Sequence, residues 1–317
     1  MSSVAFIFPG QGSQYVGMGR QLAASSAGAK AVFAAVDEAL GEPLSQRAWE
    51  GPADELDQTA NAQPAILACS IALLRALDET GAQLRPAFYA GHSMGQYSAM
   101  VAAGVLQLED AARLVRERGR LMQASSGDGA MAAIIGLPDD RLVELERVGQ
   151  SQGVFTIANR NSPGQVVVSG ERRAVQAAIE AAKSSGAKRA LMLPVSVAAH
   201  SPLMARAAEE LQRVMSQVDF ADPRAPLLSN ADAQPLTTAD ECRAELVEHM
   251  TLGVDWIAAV EHMAGQGVTH VVEIGPGKVL TGLVRRIAPD VMPHAVDDPA
   301  APGHVSLPSS DQPGSPA

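Results

Sequence analysis

The chain has 317 residues, a formal net charge of −11 at pH 7, and 47% apolar but only 3% aromatic residues. The negative charge argues against a nucleic-acid backbone as partner, and the few aromatic rings argue against a surface that stacks single-stranded bases. The length predicts two domains, or one large domain with a smaller insertion. Cys69 and Cys242 form no CxxC pair, so neither a disulfide framework nor a structural zinc site is indicated, and a cytoplasmic location is expected.

In the outer parts of the chain, strand-like runs that end in glycine-rich turns alternate with helical segments. The three strand-turn units are "VAFIFPGQGSQ" (4–14), "AFYAGHSMGQ" (87–96) and "HVVEIGPGKVL" (270–280). This alternation predicts an α/β domain with a mostly parallel sheet, whose carboxyl edge would gather the three turns at one site. The opening residues are interpreted as a buried strand, and no segment is judged long enough to span a membrane.

The middle of the chain predicts a different unit, with the element order β-α-β-β-α-β. The predicted strands and helices are 129–137, 138–148, 154–160, 164–170, 172–186 and 187–195. This order is typical of a ferredoxin-like small domain. We therefore expect residues 128–197 to be inserted into a catalytic domain formed by 1–127 and 198–297. The proline-rich segment 298–317 is predicted to be a disordered tail.

Ser93 lies between two glycines in Gly91-x-Ser93-x-Gly95, after a predicted strand and before a predicted helix. This pattern is typical of a nucleophile elbow on an α/β-hydrolase-like sheet, where a strained turn exposes the serine hydroxyl. The main-chain N–H of Met94 would face an oxyanion at the start of the helix. The motif alone leaves a second interpretation open, a glycine-rich turn with an incidental serine.

His200 is the favoured base for such a serine, because it follows a strand-like run and precedes Ser201-Pro202 at the start of a helix. His92, beside the serine, is expected to point away from it. Arg118 shares a helix face with the stripe Leu114, Val115, Leu121 and Met122, so its guanidinium should face inward. A buried arginine needs either a protein carboxylate or a bound anion, and the sequence leaves both open.

The ordered motifs of residues 4–287 resemble the malonyl-CoA:acyl-carrier-protein transacylases and the acyltransferases of polyketide synthases. The motifs that carry this resemblance are "FIFPGQGSQYVGMG", "QPAILACSIALL", "AGHSMGQYSAMVAAGVL", "RGRLMQ", "GAMAAIIGL", "NSPGQVVVSG", "LPVSVAAHSPLM" and "VVEIGPGKVLTGLVRRI". The resemblance implies a ping-pong transfer of a malonyl group from malonyl-CoA to the phosphopantetheine thiol of an acyl carrier protein. It implies no bound cofactor or metal, and a monomer is expected.

The resemblance also implies a role for particular residues. Ser93 resembles the serine that is acylated, His200 its base, and Arg118 the arginine that holds the malonyl carboxylate. Gln11 resembles the residue whose main-chain N–H completes the oxyanion hole with that of Met94. Two further positions match pocket residues: Gln63 near the acyl group and Asn161 at the rim of the cleft.

Three positions depart from the family pattern. Gln96 stands where glutamate is commoner, and His249 stands where a glutamine normally supports the base. If that support comes through the main-chain carbonyl, histidine can replace glutamine; if it comes through the side chain, His200 would be oriented differently. Ala199, before the base, leaves room for an α-methyl group unless Met122 or Met131 fills the space.

Two alternatives stay open. One is a polyketide trans-acyltransferase for methylmalonyl or a larger extender, and the other is a proofreading acyl hydrolase. Arg118 argues against the hydrolase, because simple acyl chains need no carboxylate clamp. A basic patch is expected to dock the acidic carrier protein; its candidates are Lys278, Arg285, Arg286 and Arg160.

Overall fold

The computed structural model describes residues 3–81, 84–125, 127–195 and 197–296, so the predicted tail at 298–317 lies outside the described residues. The strands are β1 Ser3–Phe8, β2 Phe88–Gly91, β3 Gly129–Ile135, β4 Phe155–Ser162, β5 Gln165–Glu171, β6 Arg189–Met192, β7 Leu227–Leu228, β8 Pro235–Leu236, β9 Val254–Asp255, β10 Val268–Ile274 and β11 Met292–Val296. The helices are α1 Arg20–Ser25, α2 Ala27–Leu40, α3 Leu44–Glu50, α4 Ala53–Leu56, α5 Thr59–Glu79, α6 Gly95–Ala103, α7 Leu108–Ala124, α8 Leu142–Gln150, α9 Arg172–Ser184, α10 Ala205–Met215, α11 Ala239–Glu248, α12 Trp256–Gly265 and α13 Val279–Ile287. Short 3₁₀ turns at Asp139–Arg141 and Pro202–Met204 precede α8 and α10.

The larger sheet has the strand order β11-β10-β1-β2-β7-β8. Its pairs are parallel except for β7 and β8, which are antiparallel. The central strand β1 is apolar from Val4 to Phe8, and Ile7 and Phe8 have no exposed surface. A strand covered by helices on both faces has this continuous apolar character. The predicted neighbours β10, β1 and β2 lie side by side, so their three glycine-rich turns meet at one edge.

Helix α5 runs through the core of the larger unit. With 21 residues it is long and apolar enough to cross a membrane by length and composition alone, so the prediction that no segment has that length is wrong. In this fold, however, 83% of its apolar window is buried inside the protein. A helix that is apolar on all sides is equally suited to a protein core.

The smaller sheet has the order β6-β3-β5-β4-β9 and covers the middle of the chain. Its first four strands are antiparallel neighbours, and α8 and α9 pack their apolar sides on it through Leu142, Leu145, Val175 and Ile179. The order of elements from β3 to β6 is the predicted one. Strand β9 was not predicted. It comes from outside 128–197, pairs in parallel with β4, and leads directly into α12.

Candidate active site

Ser93 lies in the turn between β2 and α6, at the carboxyl edge of the larger sheet. Its φ angle is 54°, a left-handed conformation that non-glycine residues seldom adopt. The flanking glycines are required by close packing: a Cβ on Gly91 would lie 2.1 Å from the backbone N of Gln96, and one on Gly95 would lie 2.2 Å from the carbonyl oxygen of Phe8. The sequence Gly-x-Ser-x-Gly therefore folds into a turn of the elbow type, with strain concentrated at the serine.

His200 lies beside Ser93, with its Nε2 atom 2.8 Å from the serine Oγ. Its Nδ1 atom lies 2.6 Å from the carbonyl oxygen of His249 and 3.1 Å from that of Leu252. Because carbonyl oxygens only accept hydrogen bonds, Nδ1 carries the proton and Nε2 is left as the acceptor for the serine hydroxyl. Burial, with the nearby Arg118 charge, holds the pKa of His200 well below its usual range, which favours the neutral imidazole.

His249 supports His200 through its main-chain carbonyl. This contact answers the question that the histidine-for-glutamine replacement raised, since a carbonyl is present whatever the side chain. His200 itself has a φ angle of 57°. Both members of the Ser93 and His200 pair therefore adopt strained backbone conformations that the surrounding structure must hold.

Arg118, on α7, is 1% exposed. Its Nη1 donates to Gln63 Oε1 at 2.8 Å, and its Nη2 lies 3.2 Å from Ser93 Oγ and 3.3 Å from His249 Nε2. Among the described residues, no carboxylate forms an ion pair with Arg118, and its Nε has no hydrogen-bond partner. Burial lowers its pKa, but a guanidinium stays protonated in proteins. A buried positive charge thus lies against the serine hydroxyl with donor capacity unused.

Two buried polar residues that were not predicted from the sequence, Asn230 and Glu245, support the turn at Ser93 through hydrogen bonds. Asn230 Oδ1 accepts a hydrogen bond from the main-chain N–H of Ser93 at 2.8 Å. Glu245 Oε1 in turn accepts from the main-chain N of Asn230 at 2.7 Å and from its Nδ2 at 3.0 Å. The spacing Glu245 to His249, four residues apart near a helix end, was a usable signal for a shared helix face. Asn230 is 137 residues from Ser93 in the sequence, so no local pattern could have indicated that the two residues are in contact.

The site opens into a cavity of about 690 Å³ between the two sheets. Gln11, Ser93, Arg118, Asn161, Ala199 and His200 are all among its lining residues. Met122 and Met131 line the same cavity as Ala199. Gln63 lies behind Arg118 with no exposed surface, and its amide also contacts the sulfur of Met122 at 3.5 Å.

His92 joins the two sheets rather than the reaction centre. Its Nε2 lies 2.9 Å from Asn161 Oδ1 on β4, and its ring packs against Trp256 at 5.5 Å between centroids. Burial lowers the pKa of His92, which favours a neutral ring. Gln96 acts locally: it accepts from the Gly91 N–H at 2.9 Å and donates to the Leu228 carbonyl at 2.9 Å, which ties the elbow to β7.

The predicted basic patch lies beside the cavity mouth on and before α13. Lys278, Arg285 and Arg286 are exposed, and Arg286 donates to Gln165, a cavity residue, at 3.0 Å. Arg160 is different, because it pairs with Asp255 at 2.9 Å. Its charge is therefore partly neutralised within the chain.

A serine in contact with a histidine at the edge of a parallel sheet is an arrangement suited to acyl transfer. Residues 5–296 match the family described as the acyl transferase domain, and the chain belongs to that family. Within it, the chain is 46% identical to the malonyl CoA-acyl carrier protein transacylase of Escherichia coli K12 over 303 residues, which are 95% of this chain and 98% of that protein. The resemblance found in the sequence motifs is confirmed.

Solved structures of malonyltransferases are also similar to this chain. The crystal structure of an acyl carrier protein S-malonyltransferase from Vibrio cholerae has a TM-score of 0.90 and 43% identity, and the match covers 94% of this chain and 97% of that one. A malonyl-transacylase in complex with its holo type II polyketide synthase acyl-carrier protein has a TM-score of 0.90 and 42% identity, with 95% and 98% covered. The mixed α/β architecture with two sheets is therefore shared with these enzymes.

Proposed function

We propose that the protein transfers a malonyl group from malonyl-CoA to the phosphopantetheine thiol of an acyl carrier protein. The observation that carries this proposal is Arg118, a buried cation that pairs with no carboxylate in the described part of the chain and lies 3.2 Å from Ser93 Oγ. In a malonyl ester the free carboxylate is separated from the ester carbonyl carbon by one methylene. An arginine beside Oγ is thus placed to hold that carboxylate with two hydrogen bonds.

In the first half-reaction His200 Nε2 takes the proton from Ser93 Oγ, which attacks the thioester carbonyl carbon. The tetrahedral oxyanion would accept from the main-chain N–H groups of Gln11 and Met94. When the intermediate collapses, the carbon–sulfur bond breaks and the CoA thiolate receives the proton from His200. The products are free CoA and a malonyl-serine ester.

In the second half-reaction the phosphopantetheine thiol of the carrier protein replaces CoA. His200 Nε2 takes the thiol proton, the sulfur attacks the ester carbonyl, and Ser93 Oγ leaves with the proton. The malonyl group is then a thioester of the carrier. These steps use only side chains and main-chain groups of this chain, and require no metal or bound cofactor.

We further propose that residues 1–127 and 198–297 form an α/β-hydrolase-like catalytic domain, and that 128–197 form a ferredoxin-like small domain. The turn at Ser93 and the order of the small sheet support this division. The cavity supports a joint role, because Met131 and Asn161 from the small sheet line it together with Ser93 and Arg118. A monomeric state and a cytoplasmic location stay predictions.

The carrier protein is proposed to dock at the cavity mouth. The relative that is solved with its acyl-carrier protein supports this class of partner. An acidic carrier must overcome the net charge of −11 on this chain, so a local basic surface is needed. Lys278, Arg285 and Arg286 supply such a surface next to residues that line the cavity.

A second candidate substrate, methylmalonyl-CoA, is supported by Ala199. Its methyl group lines the cavity where a bulky side chain would narrow it, although Met122 and Met131 occupy part of the same wall. We propose malonyl as the preferred group, with measurable methylmalonyl loading. Acyl hydrolysis is the third candidate, and Arg118 disfavours it for simple acyl chains.

Intact-mass measurement tests the proposal directly. After mixing with malonyl-CoA, the mass should rise by one malonyl group, and Ser93→Ala should abolish the rise. Acetyl-CoA should load more slowly, and holo carrier protein should remove the malonyl group faster than water does. A Ser93→Ala protein that is still labelled, or loss of the malonyl group to water alone, contradicts the proposed transfer.

A further inference from the structure

Glu245 and His249 form a buried pair beneath the active site. Glu245 is 4% exposed and His249 has no exposed surface. Both lie at the end of α11, four residues apart, and His249 Nδ1 is 3.6 Å from Glu245 Oε1. This distance is too long for a hydrogen bond, and it places the Glu245 carboxyl group next to the imidazole ring inside a buried site.

The proton positions of this pair follow from their neighbours. Arg118 has only N–H donors, so His249 Nε2, 3.3 Å from Arg118 Nη2, must be the acceptor. The proton of the neutral ring is then on Nδ1, which has no hydrogen-bond partner among the described residues. That N–H faces the Glu245 carboxyl group. Burial, with the Arg118 charge, keeps the pKa of His249 well below its usual range, which favours this neutral form.

At pH values above the Glu245 pKa of about 7, one imidazole ring therefore lies between the Glu245 carboxylate and the Arg118 guanidinium. A carboxylate bonded directly to Arg118 would occupy the donors that a substrate needs. Through the ring, Glu245 stabilises the buried charge while the Arg118 Nε keeps an unused donor. A carboxylate that faces the N–H of a histidine also strengthens the acceptor on the opposite nitrogen and fixes the ring orientation.

We propose that Glu245 and His249 are a positioning pair that orients Arg118 for the free carboxylate of the acyl group, and so raises selectivity for carboxylated over neutral acyl groups. The inference rests on the proposed function and deepens it. Their effect on selectivity is exerted through Arg118, apart from the contacts of Glu245 with Asn230 and of the His249 carbonyl with His200, and neither side chain is expected to touch the substrate. The pair also gives the His249 side chain a role that is separate from that of its carbonyl, which contacts His200.

The test compares malonyl-CoA with acetyl-CoA loading, as the ratio of the two kcat/KM values for acylation of Ser93. In His249→Ala the ratio should fall about tenfold or more, the effect of losing one hydrogen bond to a charged group. His249→Gln keeps a side-chain acceptor for Arg118, so its ratio should return most of the way to the wild-type value. Glu245→Gln should lower the ratio at pH 8, and Glu248→Gln, an exposed change on the same helix, should not.

The pH profile separates positioning from a merely structural role. Burial raises the pKa of Glu245 to about 7. As the pH falls from 8 to 6 the carboxylate is protonated, so the wild-type ratio should fall, while that of Glu245→Gln should stay flat. In the part of the chain that the structure describes, the ionisable groups near Glu245 are Cys242 on α11, His249 just after α11, Asp232 in the turn after β7 and Tyr97 on α6. Arg118 on α7 contacts the other ring nitrogen of His249.

The outcomes distinguish this inference from the proposed function. If the wild-type protein loads malonyl no faster than acetyl, the proposed function is wrong. If it prefers malonyl but folded His249→Ala and Glu245→Gln keep the wild-type ratio, only the positioning pair is wrong. Circular dichroism checks folding, and if His249→Ala does not fold, Glu245→Gln and its pH profile decide the question.

Discussion

The two ends of the active site are held in different ways. At the Ser93 and His200 end, the imidazole is oriented by the main-chain carbonyls of His249 and Leu252. At the Arg118 end, the guanidinium is held by side chains, those of Gln63 and His249. The orientation of the His200 ring is therefore insensitive to the side chains at positions 249 and 252, whereas the orientation of the Arg118 guanidinium depends on the side chains that contact it.

This difference explains how the chain can carry histidine at 249 and keep its chemistry. A substitution there leaves the carbonyl that supports the base, but changes the group that contacts Arg118. The general reaction, attack by serine with histidine as base, belongs to the backbone-supported end. Selectivity for the acyl group belongs to the side-chain end, where sequence changes have direct effects.

The largest effect is expected at the backbone-supported end. His200→Ala should lower the rate of CoA release from malonyl-CoA by roughly 10²–10⁴-fold, the contribution of a positioned general base. The rates of Ser93 acylation by malonyl-CoA and by acetyl-CoA should fall by about the same factor, since the base does not contact the part of the acyl group in which they differ. A loss of less than tenfold, or one confined to malonyl-CoA, would contradict the assignment of His200.

Arg118→Ala should affect the two substrates unequally. Loss of one charge-assisted hydrogen bond to the carboxylate costs about 1.5–3 kcal/mol, which corresponds to roughly 10–150-fold in malonyl loading. Acetyl loading, which makes no such bond, should fall much less. Arg118→Lys is the matched control, because it keeps the charge without the planar fork. Equal losses for both substrates would make the arginine structural.

Glu245→Gln should change stability in a pH-dependent way at the side-chain end. The folded-state pKa of about 7 exceeds the usual 4.5, so the folded wild-type protein binds the proton more tightly than the unfolded chain. The free energy of unfolding of the wild-type protein should therefore fall as the pH rises from about 4.5 through 7. Glu245→Gln has no carboxyl group at this position, so its free energy of unfolding should not show this fall. The free energy of unfolding of Glu245→Gln is to be compared with that of the wild type at each pH. From pH 5 to pH 8 this difference should shift by about 2–3 kcal/mol in favour of the variant, because one pKa unit is 1.36 kcal/mol.

Urea unfolding at pH 5, 7 and 8 measures this difference. Glu248→Gln is again the exposed control and should show no such gain. A Glu245→Gln difference that is the same at pH 5 and pH 8 would show that Glu245 titrates normally in the folded protein.

Ala199→Phe should change the choice between malonyl and methylmalonyl by a smaller amount. A pocket discriminates one methyl group by about 1–3 kcal/mol. The larger ring should therefore reduce methylmalonyl loading more than malonyl loading, and competition between the two CoA esters measures the ratio. Wild-type loading of methylmalonyl faster than malonyl would overturn the substrate preference but leave the chemistry intact.

The smallest effect is expected at the basic surface beside the cavity mouth, outside both ends of the active site. Arg285→Glu with Arg286→Glu should raise the KM for carrier protein several-fold, because rim charges mainly affect association, and should leave acylation by malonyl-CoA unaffected. Arg160→Glu is a useful comparison, since Arg160 already pairs with Asp255. An unchanged KM in all variants would show that these arginines are ordinary surface charges.

The sequence by itself determined the features that depend on local spacing. Gly91-x-Ser93-x-Gly95 predicted a strained turn, because glycines allow the close backbone contacts that the turn requires. Helical periodicity predicted that Arg118 faces inward. Alternating strands and helices predicted a mostly parallel sheet in the outer parts of the chain and the order of elements from β3 to β6. Each of these follows from backbone geometry within about twenty residues.

Only the tertiary structure decided what surrounds those residues. Arg118 meets His249 across 131 positions, and the Ser93 N–H meets Asn230 across 137. Whether His249 supports the base through its carbonyl or its side chain depends on the direction of each group, which periodicity does not specify. The same reason applies to β9, whose two residues have too little pattern to predict a strand and pair with β4 only because the fold brings them together.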